Sequence, residues 1–227
     1  MSSTLDIRFL DSRTLGRGVG TEDVVRVFLS MGFTILEFEV EGHVQQWPKE
    51  RRIAVQFLQA ADRAMRFGFR AWHEQCDLEV RQSTAWSLPG GRSVPWAWIV
   101  TRTDNTPYFW RPEYSPAEYS RLFVNLGKEL YGAILPSFGW IDFDYGLRTT
   151  HEDIESLELP ALYWANFFGV RYVEKIGRDR IETAPGCRIE ELPDGGLLMV
   201  LASGPGLSDD HASTTAVGAH FGVLNVR

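Results

Sequence analysis

CRIEELPDGGLLMVL, residues 187–201, decides the fold class. Two short strand-forming runs flank Pro193-Asp194-Gly195-Gly196. An Asp-Gly pair readily takes the positive-φ conformations that a tight turn between antiparallel strands requires. The segment predicts a β-hairpin, the connection that makes sequential neighbours antiparallel.

Working upstream, residues 171–177 and 178–183 read as two short helices parted at Gly177, and residues 162–168 as an apolar stretch. Residues 139–145 alternate as a strand does, with Trp140, Asp142 and Asp144 on one side and Ile141, Phe143 and Tyr145 on the other. Ser115-Pro116-Ala117-Glu118 is a capping box with proline at the first helical position. It predicts a helix to about residue 135 with Leu122, Phe123, Leu126, Leu130 and Ile134 facing inward. Gly127 and Gly132 inside it cost roughly 1 kcal/mol each against alanine, which implies close packing or a frayed end.

The middle, residues 69–111, predicts two or three strands. Residues 77–84 and 94–101 are separated by the turn signal Leu88-Pro89-Gly90-Gly91-Arg92, and Pro95 marks a strand start or an edge. Nearer the N-terminus, residues 5–10 alternate Leu5, Ile7 and Phe9 with Asp6 and Arg8. Thr21 caps a helix that carries Val24, Val25, Val27, Phe28 and Leu29 and stops at Gly32. Residues 34–41 predict a period-two strand with Leu36, Phe38 and Val40 on one face and Glu37, Glu39 and Glu41 on the other. A long helix is expected from Pro48 to Gly68, with Ile53, Phe57, Ala60, Ala61, Ala64 and Met65 as its apolar stripe. The tail beyond Gly204 reads as a loop followed by a short helix or strand. Clustered strands rather than strict βαβ alternation predict an α+β fold, a mostly antiparallel sheet packed by two or three longer helices in a single continuous domain. A two-lobed division near residues 112–116 has no linker-like stretch to mark it.

Composition bounds the function. A chain of 227 residues buries enough surface to need no disulfide or metal staple. Its two cysteines, Cys76 and Cys187, read as small buried hydrophobes, and they suit a reducing compartment. No apolar run approaches a membrane span, and the first residues lack the apolar core of a signal peptide, so the expected location is cytoplasmic. Thirty acids against 23 bases give a net charge of −7, which opposes nucleic-acid binding and suits a basic partner. Two candidate acidic surfaces stand out. One is Glu37, Glu39 and Glu41. The other runs from Asp142 to Glu158 and holds six acids, among them Asp144, Glu152 and Asp153, against the single base Arg148.

Motifs for chemistry fail for want of named partners. His73-Glu74-Gln75-Cys76 lacks the downstream Pro-Cys-x-x-Cys of a zinc deaminase and the second histidine of a zinc protease. Gly16, Gly18 and Gly20 precede a helix start but do not complete a phosphate-binding fingerprint, and Ser203-Gly204-Pro205-Gly206 is neither a phosphate loop nor a nucleophile elbow. No cofactor is expected. Asp142, Asp144, His151 and Glu152 form the one constellation that could serve a hydrolase or nuclease-like reaction. Eight tryptophans, including Trp86, Trp96, Trp98 and Trp110, serve core packing or an interface.

Leu162-Tyr163-Trp164-Ala165-Asn166-Phe167-Phe168-Gly169, then Tyr172-Val173-Glu174-Lys175-Ile176-Gly177, then the Asp194-Gly195 hairpin form a pattern over residues 157–201. This pattern resembles the immunity protein 52 family of bacterial polymorphic-toxin immunity proteins. The resemblance implies a cytosolic α+β protein that neutralises a cognate secreted toxin by direct contact and has no catalytic residues. It implies fold-defining roles for Trp164, Asn166, Gly169, Asp194 and Gly195, with Asn166 satisfying backbone groups beside the hairpin. The alternatives are the carboxylate–histidine enzyme and a structural subunit of a phage or defence assembly.

Overall fold

The computed structural model describes residues 5–10, 21–49, 54, 56, 66–74, 76–87, 93–102, 116–143, 153, 156–159, 161–201 and 211–223. Ten strands form one sheet: β1 (Leu5–Leu10), β2 (Thr34–Val40), β3 (His43–Gln46), β4 (Arg66–His73), β5 (Cys76–Ser87), β6 (Ser93–Arg102), β7 (Phe138–Phe143), β8 (Ala165–Phe168), β9 (Arg188–Glu191) and β10 (Leu197–Val200). The described helices are α1 (Thr21–Ser30), α2 (Pro116–Ile134), α3 (Val170–Ile176), α4 (Arg178–Glu182) and α5 (His211–Phe221). The sheet order is β3-β2-β4-β5-β6-β1-β7-β8-β10-β9, and every pairing is antiparallel. The fold is the α+β, antiparallel single domain that the clustered strands predict.

The first strand is the seam. β1 pairs β6 from the N-terminal half on one edge and β7 from the C-terminal half on the other. It is buried at all six positions. Its alternation therefore separates two covered faces. Leu5, Ile7 and Phe9 point to the core shared with α1 and α2, and Leu10 points to a second core under α3, α4 and α5.

On the first face, α1 buries Val24, Val25 and Phe28, and the Phe28 ring meets Phe33 and Phe69 edge-on at 5.2 and 5.1 Å. Leu29, expected on this apolar face, is exposed. The longer α2 lies over β1, β7 and β8. Gly127 is there for close approach, because a Cβ would sit 2.6 Å from Cζ of Phe167. Phe167 in turn packs edge-on against Phe9 and stacks on Tyr131. On the second face Phe138 packs against Tyr172 of α3 at 5.2 Å, and Ile181 of α4 with Val217 and Phe221 of α5 completes the layer. The expected tail helix is α5. It is tied to α4 by the Arg180 guanidinium donating to the His220 carbonyl at 2.8 Å.

Three expectations need correction. β2 is not a clean period-two strand. Its register on β4 shifts between Ile35 and Glu37, so Ile35 and Phe38, three residues apart, both enter the core, while Leu36 stays 38% exposed. This is a β-bulge, which local alternation cannot reveal. Glu41 leaves the strand altogether. It has φ 51° and, with Gly42 at φ 83°, makes the two-residue turn into β3. Positive φ at both turn residues matches strand twist, yet Glu-Gly is not a usual signature of it. Finally, Pro48 is not helical, and Gly68 lies inside β4 rather than ending a helix. Ala54 and Gln56 are helical; the rest of that expected stripe lies outside the described residues, as do Ser115, the turn at 88–92 and the division near 112–115.

Candidate functional site

Glu37 and Asp142, one from each proposed acidic surface, share a face of the sheet but do not meet. Glu37, Arg70, Glu79, Thr101, Asp6 and Asp142 are successive partners in one row across β2, β4, β5, β6, β1 and β7. Five strand spacings of about 4.8 Å put Glu37 and Asp142 about 24 Å apart. At its β2–β4–β5 end the row alternates in sign, Glu37, Arg70 and Glu79. Arg70 pairs with Glu37 at 3.1 Å, and on β5 Arg81 pairs with Glu79. Glu39 sits half-buried in the neighbouring row, opposite Gly68. Glu41 is exposed in the turn.

Asp142 corrects the expectation of a solvated carboxylate face. It is 4% exposed and lies opposite Asp6, whose carboxylate receives the Arg8 guanidinium through Nε at 3.0 Å and through Nη2. It belongs to a buried charge cluster at the sheet centre. Asp144, His151 and Glu152 lie outside the described residues, as do Trp110, Gly16, Gly18, Gly20 and residues 203–206. Asp153 is half-buried, and its backbone carbonyl accepts from the Glu158 amide at 2.7 Å and the Tyr172 hydroxyl at 3.4 Å. Burial first, and the nearby Asp153 second, raise the Tyr172 hydroxyl above its ordinary range, so it remains a neutral donor.

The open part of this face belongs to β2, β4 and β5. Glu37 and Glu79 are partly covered, Arg70 and Arg81 are exposed, and Trp72 is 49% exposed beside them. Beyond β2 lies β3, exposed at all four positions, Val44 among them at 59%. A large aromatic among paired charges is the composition that interface hot spots favour. Among the described residues no three His, Cys, Asp or Glu side chains gather as metal ligands. The Cys187 thiol is pushed up to about 11 by burial, so little of it is thiolate at neutral pH.

The C-terminal motif residues hold the architecture behind this face. Asn166 is fully buried; its Oδ1 accepts from the Tyr163 amide at 2.9 Å and its Nδ2 donates to the Tyr163 carbonyl at 2.6 Å. One side chain thus closes both backbone groups of the residue whose ring stacks on Trp140 at 4.6 Å. Gly169 has no room for a Cβ, which would lie 2.5 Å from the Pro136 carbonyl oxygen. Trp164 is buried and its carbonyl accepts from Leu201. Asp194 receives the Gly196 amide and the Tyr131 hydroxyl, each at 2.9 Å, which pins the hairpin turn to α2. Gly195, at φ 89°, takes the left-handed position of that turn, and its carbonyl accepts from Arg178 of α4 at 2.7 Å.

The sequence reading has no counterpart for one feature. A cavity of about 370 Å³ opens between the first turns of α2 and the open end of the β9–β10 hairpin. Arg121, Arg188 and Trp164 line it, residues far apart in the chain and without a shared motif.

No family model matches the chain, and no curated protein matches it.

Proposed function

We propose that this chain is a binding protein that neutralises a cognate bacterial toxin by direct protein–protein contact. The observation that carries the reading is the open face of β2, β4 and β5, where the Glu37–Arg70 and Glu79–Arg81 ion pairs share the surface with the exposed Trp72, two residues along β4 from Arg70. Charges held in place by a partner across the strands (Glu37–Arg70) or along one strand (Glu79–Arg81) are pre-organised, so a partner of matched pattern docks without first ordering them. Trp72 supplies the apolar anchor that such interfaces centre on. The net charge of −7 favours encounter with a basic toxin. The resemblance of residues 157–201 to immunity proteins supports the same reading, with Trp164, Asn166, Gly169, Asp194 and Gly195 acting in the scaffold rather than at the interface. Glu37 and Glu39 remain interface candidates on this reading, with Glu41 at the adjoining turn. Asp142, being buried, does not. Asp153 lies beside Tyr172 of α3, toward the other end of the sheet, and Asp144 and Glu152 lie outside the described residues.

The test is co-expression with the toxin encoded beside this chain's gene. The reading expects protection of the cells and a stoichiometric complex on purification. A toxin that kills undiminished, with no complex recovered, overturns it.

A further inference from the structure

The cavity beside α2 differs in sign from the rest of this acidic chain. Its walls are Ala117, Ser120, Arg121 and Val124 from the first two turns of α2, Trp164, and Gly186, Arg188, Val200 and Leu201 from the hairpin side. Among the described residues that line it the only charged ones are two arginines, in a chain whose net charge is −7. Arg121 spends Nε on the Ala117 carbonyl of its own helix at 3.3 Å, and Arg188 meets Glu190 through Nε at 3.2 Å. Among the described residues the terminal nitrogens of both guanidinium groups carry no partner. Glu190 is held independently by Lys128 at 2.6 Å, so Arg188 can turn to another anion without leaving that carboxylate unpaired. The helix start adds partial positive charge, since Ala117, Ser120 and Arg121 lie in its first turns. The floor is apolar, built from Val124, Trp164, Val200 and Leu201. Two forked cations over an aromatic and aliphatic floor, in a volume at the lower end of the small-molecule range, recognise one kind of ligand.

We propose that this cavity binds a small organic anion, a carboxylate or phosphate head on a flat apolar body. The head lies between Arg121 and Arg188, and the body lies against Trp164 and Val200. The site is on the α2 side of the sheet, opposite the face assigned to the toxin, so it stands or falls separately from that reading.

Calorimetric titration with 1-naphthyl phosphate, 1-naphthoate, 1-naphthol and inorganic phosphate tests it on the full chain. The expected result is saturable one-to-one binding of at least one naphthyl anion, the tighter of the two naming the head group. Naphthol and inorganic phosphate should bind at least tenfold more weakly. Arg121→Met with Arg188→Met, both on exposed side chains, should weaken the naphthyl anion at least tenfold while circular dichroism stays unchanged. Val124→Trp, which fills the floor, should do the same. Absence of saturable binding by either naphthyl anion, or undiminished binding in the double arginine variant, overturns the proposal.

Discussion

Strands β2, β4 and β5 alternate core side chains with charged ones, whereas β8 and β10 are buried at every position. Both sets belong to one sheet, joined through β1. The difference lies in what covers them. In the C-terminal half α2 packs on one face and α3, α4 and α5 on the other, so Ala165-Asn166-Phe167-Phe168 and Leu197-Leu198-Met199-Val200 must be apolar or internally satisfied on both sides. In the N-terminal half Phe67, Phe69 and Ala71 enter the core on the α1 side, while Arg70 and Trp72 face outward. On the reading proposed above, the doubly covered half is the scaffold and the half covered on one face is the surface offered to the toxin.

This contrast can be broken or sharpened by substitution. The largest effect belongs to Phe167→Ala, which empties a position touching Phe9, Tyr131 and Gly127. It should cost about 3–5 kcal/mol in denaturant unfolding. A loss below 1 kcal/mol would mean the C-terminal core is not as tightly packed as described. Next comes Arg8→Met at the seam, which strips the buried Asp6 carboxylate of its guanidinium. A loss of about 3–5 kcal/mol is expected at neutral pH. Asn166→Leu removes both bonds to the Tyr163 backbone and should cost about 1–3 kcal/mol. Hydrogen exchange at the Tyr163 amide should quicken in the same variant; protection kept there would show that another group replaces the side chain. The smallest effect is Arg70→Gln on the open face, within about 1 kcal/mol, because exposed ion pairs contribute little to folding.

How legible these halves are in the sequence follows from the same contrast. The hairpin at Asp194-Gly195, the capped α2 and the short pair α3 and α4 announce themselves through turn and cap residues, whose demands are local. The β2 bulge does not, because Leu36 fits the alternating pattern as well as Ile35 does, and only the β4 register decides which enters the core. The Glu41-Gly42 turn uses a residue rarely found at positive φ. For the candidate site, Glu37 and Glu39 are given to one face by alternation, but the arginine partner of Glu37 comes from another strand. Burial of Asp142 depends on β1, more than 130 positions earlier in the chain, lying beside β7. The Arg121–Arg188 cavity is likewise a product of packing between distant segments.

The central claim is that recognition belongs to the singly covered half. The direct measurement is the affinity of this chain for the toxin encoded beside it, compared with that of the Trp72→Ala, Glu37→Lys double variant by calorimetry at two salt concentrations. The account predicts at least a tenfold loss of affinity, with the wild-type affinity falling as salt rises and unfolding stability changed by less than about 1 kcal/mol. Equal affinity of the two proteins, at unchanged stability, would contradict it.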